Sequence, residues 1–119
     1  LAYAVLEGVA MQFYAAYEAQ RSSGVPIDTI QAVGGGTRSE FWVSLVATLL
    51  DTAITIPEQG DISACLGAAR MAMCARTPDA TDEILARQPG TRATVQPRPE
   101  LREALLSRYD SHRALPFTP

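Results

Sequence analysis

Apolar side chains recur at steps of three and four along residues 3 to 23, at Leu6, Val9, Phe13 and Tyr17, flanked by Glu7, Glu18, Gln20 and Arg21. This spacing predicts an amphipathic helix. Ser22-Ser23-Gly24-Val25-Pro26 ends it, with a glycine just past the last turn and a proline beyond. No capping residue precedes the pattern, so Leu1 reads as a cut. Gly8 costs this helix about 1 kcal/mol relative to alanine, and the expected reason is a neighbouring element packed closely against it.

The period then changes. Residues 27 to 33, Ile-Asp-Thr-Ile-Gln-Ala-Val, read as a strand that runs into Gly34, Gly35 and Gly36. A second helical stripe comes next at Phe41, Trp42, Leu45, Val46 and Leu49 and predicts a helix over 38 to 50. Thr37 stands three residues before Glu40, the spacing of a reciprocal capping box. Ala53 to Ile56 reads as a short strand closed by Pro57, and Asp61 or Ser63 caps a third helix carrying Leu66, Ala69, Ala72 and Met73. Strand, helix, strand in this order predicts a parallel pair joined by a right-handed crossover, an α/β arrangement rich in helix.

Prolines at 78, 89, 97 and 99 fragment the chain beyond the third helix, so residues 76 to 99 are expected to be an irregular connection with at most a short helix near 81 to 87. Pro99-Glu100-Leu101 then opens a terminal helix over 100 to 114, with Arg108 and Arg113 near its end as the macrodipole favours. Its inward side is expected to carry Leu101, Leu105, Tyr109 and, at its end, His112.

With 119 residues the chain fits one compact domain, too small for the two lobes that most phosphotransfer enzymes close around substrate. A formal net charge of −3 gives no electrostatic reason to expect nucleic acid or anionic lipid as partner. No run is apolar for the roughly 18 residues of a membrane span, and no leader pattern precedes Leu1, so a soluble, cytoplasmic protein is expected. All ten basic residues are arginine. The absence of lysine excludes a Walker-type phosphate loop, a Schiff-base lysine and an ammonium general base from this segment. Cys65 and Cys74 lie on one helix about 180° apart, which disfavours a disulfide or a shared metal and predicts buried free thiols. With His112 the single histidine, no local metal set is expected.

The chemistry therefore falls to the glycine turn. Glycines let backbone approach a ligand where a Cβ would collide, and a helix N-terminus beyond them exposes amides and a positive dipole end. A ligandless tight turn asks for the same residues. The pattern is not Gly-x-Gly-x-x-Gly, which disfavours a dinucleotide site. Ser39 suits either a hydrogen bond to adenine or ribose or the helix N-cap one turn late. Arg38 reads as a solvated charge or a phosphate contact, Trp42 as core before stacking platform, and Asp61 with Glu58 as capping and loop carboxylates before a catalytic pair.

Three blocks taken together, Leu6-Glu7-Gly8-Val9-Ala10, Val33-Gly34-Gly35-Gly36-Thr37-Arg38-Ser39-Glu40-Phe41-Trp42 and Leu66-Gly67-Ala68-Ala69-Arg70-Met71-Ala72, resemble the carboxyl-terminal domain of the FGGY family of carbohydrate kinases. The tail Arg108 to Leu115 is similar to that of the members acting on a ketose. The resemblance implies that residues 1 to 119 are the distal part of an actin-like ATPase domain of the ribonuclease H-like class, with a short parallel strand pair. It implies ATP and a small sugar as ligands, Mg²⁺ held by residues elsewhere, and an amino-terminal lobe of the same protein as partner. By position Gly35 and Ser39 match the family's nucleotide contacts, Gly34 and Gly36 shape the turn, and Gly67 lets the third helix pack beside it. The aspartate that deprotonates the sugar hydroxyl, and with it all catalytic side chains, is implied to lie outside this segment. Ser44 and Thr48 stand where the family usually carries glutamine and aspartate. An alternative of a different class makes the uncapped first helix and the Phe41/Trp42 face a homodimer surface.

Overall fold

The computed structural model describes residues 2–114; Leu1 and Leu115, on which the reading of a cut and part of the tail similarity rest, lie outside that range. Five helices and three strands occur in the order α1 (Ala2–Ser22), β1 (Ile30–Gln31), α2 (Glu40–Leu50), β2 (Ile54–Pro57), α3 (Ser63–Arg76), α4 (Thr81–Ala86), β3 (Thr91–Val95) and α5 (Pro99–Arg113). Short 3₁₀ turns occupy Gly35–Arg38, Gly60–Ile62 and Pro78–Ala80. The strand order is β1-β2-β3. β1 runs parallel to β2, with Ile30 opposite Ile54, and β3 runs antiparallel to β2, with Val95 opposite Ile54.

α2 is the organising element. Its apolar residues leave almost no polar face, and a helix that is hydrophobic nearly all round must be covered on both sides. On one side Val43, Ala47 and Leu50 pack on Ile54 and Ile56 of the sheet. On the other, Leu45 and Leu49 meet Ala10 of α1 and Leu105 of α5. The helix ends on Asp51, which adopts the left-handed conformation (φ 53°, ψ 39°) and donates its amide back to the last turn, the closure glycine usually provides. Ser44 and Thr48 are buried and used internally: the Thr48 hydroxyl donates to the Ser44 carbonyl at 2.7 Å and accepts from the Arg98 amide at 3.0 Å, fixing the entry to α5.

Several expectations are corrected. The 27–33 strand reduces to Ile30–Gln31, the stretch that β2 faces. The segment 76–99 holds its expected short helix as α4, but it also supplies a strand, β3, and so is not simply irregular. Thr91, Thr94 and Val95 are β-branched and suit a strand, but the flanking prolines concealed it. On α1 the buried line is Glu7, Ala10 and Met11, while Val9 and Phe13 are 45% and 54% exposed. The rotation stems from Glu7, whose carboxylate accepts a hydrogen bond from Nε of Arg108 on α5. Gly24 does take a positive φ of 79° as the helix stop, whereas a Cβ on Gly8 or Gly67 would meet nothing within 4 Å. Neither Asp61 nor Ser63 caps α3, which continues directly from the Gly60–Ile62 turn with no side-chain cap bond. No residue of α3 is buried, Cys65 is exposed and Cys74 half-buried. On α5 only Leu105 is buried, with Leu101 and His112 exposed. The radius of gyration is 17.3 Å, against about 13.5 Å for a compact domain of this length, so the chain is elongated and not the compact unit its length suggests.

Candidate functional site

The glycine turn sits where β1 hands over to α2, beside the carboxyl end of the parallel pair, the position at which open α/β sheets bind ligands. Ala32 donates to the Thr55 carbonyl at 2.9 Å and Gly34 to the buried Gly60 carbonyl at 2.7 Å, so the start of the turn is pinned to the segment after β2. Thr37, the one buried residue of the 3₁₀ turn, donates both its amide (3.1 Å) and its hydroxyl (2.8 Å) to the Gly34 carbonyl. The capping box is therefore not formed. Thr37 closes the turn, and the N-cap of α2 is Ser39, whose Oγ accepts from the Trp42 amide at 3.2 Å. The extra 3₁₀ turn displaces the helix start to Glu40.

The three glycines have three different reasons. Gly34 has φ 91° and ψ 178°, a region essentially closed to other residues. A Cβ on Gly36 would stand 3.2 Å from Nε1 of Trp42, so this glycine admits the indole beneath the turn. Gly35 has no positive φ, and a Cβ there would meet nothing within 4 Å. Nothing in the chain itself requires a glycine at 35, and that residue is exposed.

As the first residues of the 3₁₀ turn, Gly35 and Gly36 have no intrahelical acceptors for their amides. The Ser39 hydroxyl, already accepting from Trp42, keeps its proton to donate. Together these groups form a surface of uncharged donors, and Arg38 beside them pairs with Asp61 at 3.2 Å. That pair and its hydrogen bond hold the Asp61 carboxyl below its ordinary 3.8, with the nearby Arg92 a minor contributor. The Asp61 carboxylate is thus engaged by Arg38, whereas the Glu58 carboxylate lies over Gly90, where an added Cβ would meet it at 2.7 Å. Behind the turn lies a cleft of about 270 Å³ walled by Phe13, Val33, Gly36, Trp42 and Val46, and no charged side chain lines it. Trp42 is half-buried and meets Phe13 edge-on at 6.2 Å. A larger hollow lies along α5, but it is open and formed by one helix face. No three metal-ligating side chains converge among the described residues, and no described helix is long and apolar enough to cross a membrane.

Residues 1–76 match the family model of the FGGY carbohydrate kinases, C-terminal domain. The chain belongs to the FGGY family of carbohydrate kinases. Its FGGY relatives include the xylulose kinase of Escherichia coli K12, 34% identical over 79 residues, which cover 66% of this chain and 16% of that enzyme. The gluconokinase of Bacillus subtilis 168 is 36% identical over 66 residues, 55% of this chain and 13% of that enzyme. Among solved structures, a xyloylose (xylulose) kinase from Brucella ovis superposes with a TM-score of 0.78 at 39% identity, covering 93% of this chain and 23% of that one. The xylulose kinase of Rhodospirillum rubrum superposes with a TM-score of 0.72 at 26% identity, covering 93% and 22%. The chain thus spans about a sixth of the E. coli kinase and under a quarter of the two solved ones. The expected α/β, actin-like architecture stands, with a third, antiparallel strand added to the parallel pair.

Proposed function

We propose that this FGGY segment is the nucleotide-binding part of an ATP-dependent kinase that phosphorylates D-xylulose to D-xylulose 5-phosphate. Gly34, Gly35 and Gly36 present the backbone to adenosine and the Ser39 hydroxyl donates to it, with the uncharged cleft beside Trp42 available to the base. The observation that carries this reading is Gly35: it is the glycine of the turn that the fold does not need, so its missing side chain is explained by a molecule approaching from outside. The donor set fits the neutral adenosine end of ATP better than its phosphates, since it consists of backbone amides and a hydroxyl, lysine is absent, Arg38 is paired with Asp61 and Arg92 is turned onto Thr37. The bound nucleotide supplies the phosphoryl group. The groups that would hold Mg²⁺, deprotonate the sugar and contact the γ-phosphate belong to the remainder of such an enzyme, so this segment alone is not expected to turn over.

The test is ATP-dependent phosphorylation by the full-length protein that carries this chain, across D-xylulose, D-ribulose, glycerol and gluconate. Turnover on D-xylulose with the highest kcat/KM supports the proposal, and no turnover on any of them overturns it. Gluconate is the second reading, because gluconokinases stand among the relatives; the nucleotide side of the cleft carries little information about the sugar. The homodimer reading predicts no change in Trp42 fluorescence on adding ADP. A cytoplasmic location is part of the same proposal.

A further inference from the structure

The strand β3 contains a defect that aims a side chain at the glycine turn. Ala93 pairs with Ile56 and Thr91 with Pro57, so the ladder shifts register between Ile56 and Pro57 and Arg92 is left without a partner. Pro57 has no amide to give the ladder, and an extra residue on the opposing strand accommodates that loss. Regular pairing resumes at the Glu58 amide, which donates to Gly90 at 2.8 Å. The bulged residue is the one whose side chain leaves the regular alternation. Here its Nη2 reaches the buried Thr37, donating to the carbonyl at 3.3 Å and to Oγ1 at 3.5 Å. Thr37 is the residue that closes the turn on Gly34, so Arg92 grips the turn at its closure, 55 residues away in sequence.

We propose that Arg92 is a positioning residue for nucleotide: its guanidinium holds Thr37, so that the Gly35 and Gly36 amides and the Ser39 hydroxyl keep one orientation toward adenosine. The proposal rests on the nucleotide reading of the turn and adds to it a residue beyond the 1–76 stretch that matches the family. The turn is otherwise tied down at Gly34, through Gly60, and at Arg38, through an exposed ion pair with Asp61 that solvent screens. Between those points Arg92 provides the tie to a strand of the sheet.

The experiment compares wild type with Arg92→Ala, Arg92→Met and Arg92→Lys in the full-length protein, measuring ADP dissociation constants by calorimetry, KM for ATP, kcat, KM for D-xylulose and melting temperature. Loss of one charge-assisted donor should raise the ADP constant and the KM for ATP about tenfold in R92A and R92M. kcat and the KM for D-xylulose should stay within about twofold, since the nucleotide's placement alone is loosened. R92K keeps a donor on a long stem and should recover most of the loss. R92M preserves the aliphatic stem and decides the matter if R92A does not fold. Unchanged nucleotide constants overturn the proposal. So does a parallel rise in both KM values with a lowered melting temperature, which marks general bracing. Wild type that binds no ADP would remove the reading of the turn itself, and that failure shows before any variant is made.

Discussion

Alanine at position 35 separates a ligand site from a ligandless bend, because fold and function then make opposite demands. Gly35 has an ordinary φ and open space where the methyl would go. Its replacement by alanine should leave the fold intact and raise stability by about 0.5 kcal/mol, through the lower entropy of the unfolded chain. For a chain of 119 residues that is a rise of about 1–3 °C in melting temperature. The same methyl faces the proposed adenosine, and crowding a packed contact costs about 1–2 kcal/mol, hence roughly five- to thirtyfold in the ADP dissociation constant. Gly34→Ala and Gly36→Ala are the contrasts. The first forces alanine to φ 91° and ψ 178° and should destabilise by about 1–3 kcal/mol; the second drives a methyl to 3.2 Å from the Trp42 ring and should cost about 1 kcal/mol or more. Calorimetric ADP titration and thermal melting on the same preparations give both numbers. A G35A protein that binds ADP within twofold of wild type, or that melts several degrees lower, refutes the reasoning.

Leu105→Ala should cost about 3 kcal/mol in denaturant unfolding, since Leu105 is 2% exposed and joins α5 to Ala10 and Leu49. Arg108→Ala leaves the Glu7 carboxylate buried without its partner; because half of Arg108 faces solvent, the expected loss is about 1–3 kcal/mol, with Glu7→Gln milder by the same measurement. Asp61→Asn should remove part of the acid dependence of melting. The folded carboxyl lies below its ordinary 3.8, so its contribution is present above that value and lost as pH falls through the lower folded value. The melting temperatures of wild type and D61N should therefore differ near neutrality and converge in acid, and a constant difference across pH would contradict the assignment.

The helices were legible because three- and four-residue periods survive in a short chain. α2 is the most fully legible, since its own apolar positions keep the helical period whichever elements cover them. On α1 the expected stripe is rotated from the buried one: Leu6 and Tyr17 pack on the core while Val9 and Phe13 do not bury, because a carboxylate such as Glu7 counts as outward in any hydropathy pattern. Its partner Arg108 lies 101 residues away, and no local signal announces that pairing. β3 was hidden for a related reason. Proline marks a break on the strand that carries it, and Pro57 also imposed a bulge on a strand more than 30 residues later. The expected start of α2 lies two residues too early because Thr37 and Ser39 both suit a cap. The choice was made by the 3₁₀ turn, which takes Thr37 for its own closure.

At the site, the letters Gly34, Gly35 and Gly36 are identical in sequence and separate only in three dimensions, one by backbone angle, one by an indole and one by nothing internal. Glycine in a family motif is thus not one constraint but several, and within this turn only Gly35 has no constraint from the described chain itself. The same logic applies to α3. Its apolar positions Leu66, Ala69, Ala72 and Met73 keep helical spacing, yet none is buried. A stripe of that period arises where something packs on it, and among the described residues α4 meets α3 without burying any of the four. The stripe therefore marks a helix face that the described residues cover only in part, and Gly35 a position whose side-chain space they leave open.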